Sequence, residues 1–158
     1  MRFELAPLAQ MIGWDLLALG LPAAGQPFDT GRFEQQIELP GIWIDRGIVD
    51  VDTAFGRRLL DSPLGWDGRT AVGTLWCAAG TGWPATTVEA LLSSAREVLE
   101  AAPGGDPGGA SSPDPRIVVV RALAGRIEPL WETLRSIRAR WRTMLWDIAP
   151  DSPRIWAT

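Results

Sequence analysis

Apolar and polar positions in the first half of the chain follow the two-residue period of β-strands. In residues 32–39, for example, apolar side chains recur on one face, as expected of a strand with one buried side. Runs of this kind predict strands at residues 2–5, 11–20, 32–39, 41–52 and 70–79. Gly47 marks an expected bulge in the fourth strand, and S-P and D-G turn signals predict a loop over residues 55–70.

In the second half the apolar positions change to the period of a helix. Residues 87–102 and 127–146 each carry an apolar stripe at three- and four-residue steps, which predicts two amphipathic helices. Each fully buried Leu, Ile or Met on the stripe of residues 127–146 contributes about 1.5–3 kcal/mol, so this second helix must pack on another element. Residues 116–125, with three consecutive valines, predict a strand between them. The Gly/Pro/Ser-rich residues 103–115 predict a flexible linker.

The order of these elements predicts one domain over residues 1–158, of the α+β class. Its β-rich part, about residues 2–79, is expected to form sandwich-like or solenoid-like sheets, and two helices flanking a strand follow. The last residues, 153–158, contain Ile155 and Trp156. Two large apolar side chains so close to the end predict a tail packed onto the helix–strand layer.

Composition excludes several classes of function. Fifteen basic and nineteen acidic residues give a net charge of −4, which disfavours binding to nucleic acid or to an anionic membrane. The chain contains no histidine, which excludes Ser–His–Asp and Cys–His catalysis within it. A single cysteine, Cys77, forms no internal disulfide and is expected to be a small buried hydrophobe. With no signal-peptide pattern at the start, we expect a cytoplasmic protein.

Three aspartates are the candidates for metal chemistry. Asp50 and Asp52 are predicted to share one face of a strand, with Asp45 nearby. Such carboxylates could coordinate a hard cation weakly or act as an acid–base pair. Without histidine or a second cysteine, a tight nickel site is chemically disfavoured. The simpler alternative is that these aspartates are exposed or form turns, since most charged groups lie at the surface.

Arginines beside the apolar stripe of residues 127–146 are candidates for partner binding. Arg135, Arg138 and Arg142 follow Glu128 and Glu132 at helical spacing, so one interpretation is a solvated face with intrahelical ion pairs. The other is an interface, because Arg and Trp are enriched at binding hot spots. The tryptophans of this helix, Trp131, Trp141 and Trp146, are expected mainly in the core. The candidate partner-binding residues are Trp131, Arg135, Arg138, Arg142, Arg154 and Trp156.

Four motifs occur in a fixed order along nearly the whole chain. They are G-W-D-L-L-A-L-G-L-P-A-A-G-Q-P-F-D-T-G (13–31), G-T-L (73–75), R-A-L-A-G…L-W-E-T-L-R (121–135) and P-R-I-W-A-T (153–158). Together they resemble the urease accessory protein D family (UreD, also called UreH). The chain departs from the family pattern at two places. Leu21 stands where the family has arginine, and Gln26-Pro27 stands where the family has a glutamate before the phenylalanine. It also lacks a family segment of the form G-G-G-x-x-x-G-D, so it resembles a C-terminal portion.

The resemblance implies a non-enzymatic scaffold that helps nickel insertion into apo-urease together with accessory proteins F and G. It implies a large β-structure arranged somewhat like a β-helix, with helices late in the chain at which accessory protein F docks. No cofactor is expected to be tightly bound, and nickel is expected to be handled transiently by the complex. Two alternatives stay open: a non-functional or short-form remnant of that family, and a carboxylate-based hydrolase.

Overall fold

The computed structural model describes residues 1–21, 24–102, 106–149 and 153, which contain six strands and three helices. This composition of strands and helices confirms the predicted α+β class. In chain order the elements are β1 (Gln10–Ala18), β2 (Arg32–Leu39), β3 (Trp43–Asp50), α1 (Ala54–Asp61), β4 (Ala71–Ala79), α2 (Ala85–Ala101), β5 (Gly108–Asp114), β6 (Ile117–Ala124) and α3 (Ile127–Trp146).

Four strands form an antiparallel sheet in the order β1-β4-β6-β5, and β2 and β3 form a separate antiparallel hairpin. The central strand β4 is apolar almost throughout because both of its faces are covered. Successive side chains of a strand point to opposite faces. Leu75 and Cys77 therefore belong to the core beneath the helices, whereas Trp76 and Ala78 belong to the core beneath the hairpin.

The helices α2 and α3 cover one face of the four-stranded sheet. Leu134, Ile137 and Trp141 of α3 are fully buried against β4, β6 and α2. The indole N–H of Trp141 donates to the Leu91 carbonyl at 3.1 Å, which ties the two helices together. The α3 helix coincides with the predicted residues 127–146, because its apolar stripe spans its whole length. The α2 helix begins two residues before its predicted start at residue 87.

The hairpin packs on the other face of the sheet through Ile37 and Leu39, which are fully buried against Trp76 and its neighbours. Trp76 in turn lies over Gly13 of β1, its partner across the strand pair; a Cβ at Gly13 would lie 2.3 Å from the indole ring. A hairpin stacked on a four-stranded antiparallel sheet corresponds to the sandwich-like alternative among the sheet arrangements expected from the sequence.

Part of the predicted loop over residues 55–70 is a helix. In α1 the Thr53 side chain caps the first turn by accepting from the Gly56 N–H at 3.0 Å. Gly56 resembles a helix breaker in the sequence, but it allows α1 to approach the end of β3. A Cβ at this position would lie 1.8 Å from the Asp50 carbonyl oxygen. The turn signals of the same segment act after the helix, where Asp67 and Gly68 have positive φ.

The predicted linker over residues 103–115 is also partly wrong, because β5 occupies Gly108–Asp114 and pairs with β6. The small residues that indicated flexibility instead permit close packing. A Cβ at Gly108 would lie 2.7 Å from the Cδ2 atom of Leu99 on α2. Pro113 falls at a register shift in this edge strand, which is where proline is tolerated in sheets. Residues 103–105 of the linker lie outside the described residues.

Two smaller expectations about the β-rich part are corrected. The pairing of β2 with β3 continues without interruption through Gly47, opposite Gln35, so the expected bulge is absent from this hairpin. Residues 2–5 do not form a full strand; Arg2 makes a single parallel bridge with Glu38. The other predicted strands coincide with β1, β2, β4 and β6, and the ends of these strands lie within two residues of the predicted ones.

Candidate functional site

Two of the predicted partner-binding residues meet where α3 crosses the edge strand β1. The Trp131 ring packs on the Trp14 ring with centroids 4.8 Å apart and an interplanar angle of 47°. The guanidinium carbon of Arg138 lies 5.7 Å from the centroid of the Trp14 ring, within the range of a cation–π interaction. Trp131 and Arg138 are half-buried. The fold thus builds an aromatic and cationic cluster from α3 and β1.

A second arginine of α3 lies beside this cluster. Burial lowers the pKa of the Arg138 guanidinium, and the positive charge of Arg142 lowers it further. The Nε of Arg142 is buried and has no hydrogen-bond partner within the described part of the chain. Arg135 differs, because its guanidinium pairs with Glu132 one turn earlier at 2.6 Å. The expected intrahelical ion pair is thus present at Arg135.

The tryptophans of α3 occupy three different environments. Trp141 is fully buried, as expected of a core residue. Trp146 is half-buried, and its indole N–H donates to the Gln10 side chain at 2.6 Å. Trp131 belongs to the half-buried cluster on β1, so only one of the three is a fully enclosed core residue. Arg154 and Trp156, and with them most of the predicted packed tail, lie outside the described residues.

A second feature is a cleft of about 670 Å³ between the hairpin and the sheet. Its volume is within the range of small-molecule sites. Apolar side chains including Leu17, Phe33 and Trp66 line part of it, and polar groups line the rest. Two glycines, Gly47 and Gly109, leave bare backbone in its wall; a Cβ on either would meet nothing within 4 Å.

Polar side chains cross the space between the two layers. Asp15, Thr74 and Arg121 lie in one row across β1, β4 and β6. The Gln35 amide donates to the Asp15 carboxylate at 3.0 Å, and Arg121 forms an ion pair with Asp45 of β3. The Nε of Arg121 also donates to the Thr74 hydroxyl at 3.4 Å. This polar row separates the apolar cluster around Trp76 from the one around Val49.

The three candidate aspartates do not converge. Asp45 lines the cleft, where it is held by Arg121. Asp50 accepts the Asp52 N–H at 3.2 Å, and Asp52 accepts the Gly31 N–H at 3.1 Å. The expected shared strand face is wrong because β3 ends at Asp50 and the chain then turns. Among the described residues, no three His, Cys, Asp or Glu side chains form a group that could hold a metal ion.

Sequence reasoning missed most of the polar row and the aromatic partner Trp14. One signal for the row was present: Gln35 lies on the apolar face of β2, between Phe33 and Ile37. A polar side chain at a core-facing strand position requires a hydrogen-bond partner, and Asp15 is that partner. A similar signal is the charged Asp15 within the apolar run of β1. Neither signal identifies the partner from the sequence alone.

Cys77 is a buried small hydrophobe, as predicted. Its side chain is fully enclosed in the core beneath the helices, and burial raises the pKa of its thiol far above the usual range. The thiolate is the reactive form of cysteine, so this residue has no nucleophilic role in the folded chain. Among the helices of the described ranges, none has the length and apolar character needed to cross a membrane.

Comparisons with known proteins identify the family. Residues 1–157 match the family model of the UreD urease accessory protein. A protein named urease accessory protein UreD from Methylibium petroleiphilum is 48% identical over 168 residues, covering 100% of this chain and 57% of its own length. Proteins of the same name from Leptothrix cholodnii and Variovorax paradoxus are 49% and 45% identical, each covering 100% of this chain and 56% of its own length.

The chain thus spans just over half the length of the curated relatives it matches, and corresponds to their C-terminal portion. The match includes every described strand and helix, from β1 to the end of α3. The resemblance carried by the sequence motifs is therefore confirmed: the chain belongs to the UreD family of urease accessory proteins.

Proposed function

We propose that the protein is a non-enzymatic scaffold of urease maturation, which helps nickel insertion into apo-urease by binding accessory proteins F and G and urease itself. The match of residues 1–157 to the UreD family carries this proposal. The chemistry of the chain supports a role without catalysis. It contains no histidine, its only cysteine is enclosed in the core, and Asp45 is paired with Arg121. The same lone, reduced cysteine supports a cytoplasmic location.

Accessory protein F is proposed to dock on α3, on the side that crosses β1. Arg and Trp side chains combine large contact area with strong hydrogen bonding and are enriched at interface hot spots. On this side α3 carries Trp131, Arg135, Arg138 and Arg142, and Trp14 of β1 lies against Trp131 and Arg138. Arg154 and Trp156 are included in the proposed interface on their sequence alone.

Nickel is proposed to be cargo handed on by the complex, with no tight site in this chain. Nickel favours imidazole and thiolate ligands, and the chain offers no imidazole and no accessible thiol. Asp45 lines the cleft and is ion-paired with Arg121, so we propose that it contacts such an ion only weakly, in exchange for the guanidinium, and releases it readily. Asp50 and Asp52 are engaged in turns and are weaker candidates.

Co-purification with accessory protein F tests the docking surface. Wild type is expected to capture the partner, whereas Arg135→Glu and Arg138→Glu are expected to lose about tenfold or more in affinity, a change of about 1.4 kcal/mol. Arg140→Glu is the matched control. Arg140 lies on the same helix, but its guanidinium pairs with Glu97 of α2 at 2.8 Å, and an exposed pair of this kind contributes under about 1 kcal/mol. The control is expected to bind as wild type does.

Capture that fails for wild type, or that is equal in all three variants, would reject this docking surface. Thermal unfolding of each variant excludes loss of fold as the cause. A second readout is urease activity after nickel supply, in cells that contain urease and the accessory proteins but lack their own family member. If the chain binds accessory protein F and does not restore urease activity, the scaffold proposal fails and the short-form remnant is favoured.

A further inference from the structure

We propose that the outer edge of β2, from Arg32 to Gln36, is a strand-addition site. Its occupant is an extended segment of the upstream region by which the longer relatives exceed this chain, running parallel to β2. The proposal concerns a surface distinct from α3 and does not depend on the docking of accessory protein F. It rests on the pairing of residues 1–3, on the free backbone groups of the same edge, and on the side chains that flank it.

Residues 1–3 already pair with this edge and fix the direction of the added strand. The Glu38 N–H donates to the Met1 carbonyl at 2.9 Å, and the Phe3 N–H donates to the Glu38 carbonyl at 2.9 Å. The Met1 amine donates to the Gln36 carbonyl at 2.6 Å. Arg2 and Glu38 are accordingly partners in a parallel bridge. A segment that continues this alignment toward Arg32 lies directly beside the rest of β2.

The edge between Arg32 and Gln36 presents backbone groups that can accept such a segment. In an antiparallel pair, alternate residues direct both N–H and C=O toward the partner strand and the others direct them away. Glu38 directs both groups away from β3, toward residues 1–3. Glu34 and Arg32, at even steps along the same strand, therefore direct theirs to the same side. No backbone group elsewhere in the described ranges bonds to them.

Charged edges usually discourage strand addition, but the charges here are already compensated. Glu34 pairs with Arg32 at 2.9 Å and with Arg46 of β3 at 2.8 Å, on the outer face of the hairpin. The pairing of β2 with β3 is regular over all eight residues, without a bulge or a proline that would twist this edge away. The free edge is about 16 Å long, at about 3.3 Å per residue.

Residues 1–5 also indicate the chemistry of the added segment. Phe3 and Leu5 pack against the core beneath the hairpin, and the Phe3 ring lies 6.0 Å from that of Trp76. Arg2 faces outward and pairs with Glu38 at 2.8 Å. The same alternation continued along β2 places apolar side chains beside Phe33 and Gln35, over the open side of the cleft, and polar ones beside Glu34.

A second copy of this chain does not fit the edge as well. Two identical edges related by a two-fold axis within a sheet pair antiparallel, whereas residues 1–3 define a parallel addition. These residues also occupy the part of the edge near Glu38, so two copies would share only a short free stretch. A strand supplied from the upstream region of a relative meets both conditions.

The test uses the whole chain and, as the probe, the separately produced upstream region of the Leptothrix cholodnii relative, without accessory protein F. Binding is expected to slow hydrogen exchange of the Arg32, Glu34 and Gln36 amides by about tenfold or more. The amides of Phe33 and Gln35, already bonded within the hairpin, are expected to change little. No added protection along this edge would overturn the proposal.

Two proline variants locate the site independently. Glu34→Pro removes an N–H that faces the free edge and keeps the hydrogen bonds between β2 and β3, so it is expected to weaken binding of the probe about tenfold or more. Ile48→Pro is the control, because Ile48 lies opposite Glu34 in the hairpin and its N–H faces the other edge. It is expected to bind as wild type does.

Equal binding by both proline variants, or a loss confined to Ile48→Pro, would reject the β2 edge. The thermal transition of each variant is measured first, since proline in a strand can unfold a hairpin. If Glu34→Pro does not fold, the decision rests on the exchange rates of the wild-type amides alone. Because accessory protein F takes no part, failure here leaves the docking surface on α3 untouched.

Discussion

The two faces of the four-stranded sheet differ in what covers them and in what they enclose. On the helix side, α2 and α3 bring fully buried apolar side chains such as Leu91, Leu134 and Trp141 onto β4 and β6. On the hairpin side, an apolar cluster around Trp76 gives way to a polar row and a cleft of about 670 Å³. Both faces are built on the same central strand.

The difference separates the parts of the molecule that determine stability from those left open for binding. Close-packed interiors lose several kcal/mol when a large side chain is removed, because a cavity remains. A layer that already contains a cleft, and polar groups such as Asp15 and Arg121, has less packing to lose. Substitutions on the helix side are therefore expected to unfold the chain, while those lining the cleft are expected to be tolerated.

Among the substitutions that compare the two faces, Trp141→Ala is expected to lower the free energy of unfolding most. The substitution removes a fully buried indole and its hydrogen bond to the Leu91 carbonyl, so the free energy of unfolding should fall by about 3–5 kcal/mol. Urea unfolding followed by tryptophan fluorescence and circular dichroism measures it. Phe33→Ala, on the half-buried lining of the cleft, is the counterpart and should lose clearly less. Equal losses would contradict the distinction between the two faces.

Two glycine substitutions compare filled with open space on the hairpin side itself. A Cβ at Gly13 would lie 2.3 Å from the Trp76 ring, so Gly13→Ala should displace the indole and cost about 1–3 kcal/mol. Gly47→Ala introduces the same methyl group where nothing lies within 4 Å. It should be neutral or stabilising by up to about 1 kcal/mol, since alanine restricts the unfolded chain. The thermal unfolding midpoints of the two variants are compared with that of wild type. A similar fall in both midpoints would mean that the space at Gly47 is not open.

The sequence predicted best the elements whose periodicity is continuous. The α3 helix and β2 coincide with their predicted residues because one apolar face runs along each of them. The predicted elements were wrong where glycine and other small residues allow close packing, as Gly56 does in α1 and Gly108 does in β5. The candidate site was predicted only in part. Arg138 and Asp45 were among the predicted candidates, but their partners Trp14 and Arg121 lie on distant strands. These contacts form only when α3 and the hairpin pack on opposite faces of the four-stranded sheet.

The smallest predicted effect concerns a contact that joins the two layers at the turn after β5. Arg116 donates side-chain hydrogen bonds to the Asp114 carboxylate at 2.8 Å, and its backbone N–H donates to the same group at 2.9 Å. Arg116 also donates to the Gly41 carbonyl in the turn of the hairpin. These bonds, chiefly those from the guanidinium, lower the pKa of Asp114 to about 2.

An aspartate in the unfolded chain has a pKa of about 3.9, so between about pH 2 and 4 Asp114 is ionised in the folded chain and protonated in the unfolded one. The contact with Arg116 therefore stabilises the fold above about pH 4. That contribution is lost as the pH falls from about 4 to 2. Asp114→Asn should therefore lower the free energy of unfolding at neutral pH by under about 1 kcal/mol, as for a partly exposed pair, and differ little from wild type near pH 2. Urea titrations at several pH values measure the difference.

Glu89→Gln, which alters a looser pair with Arg96 at 3.7 Å on the helix side, is the control and should change stability less at neutral pH. If the Asp114 variant were equally destabilised at pH 2 and pH 7, the contact between the layers would depend on shape and not on charge.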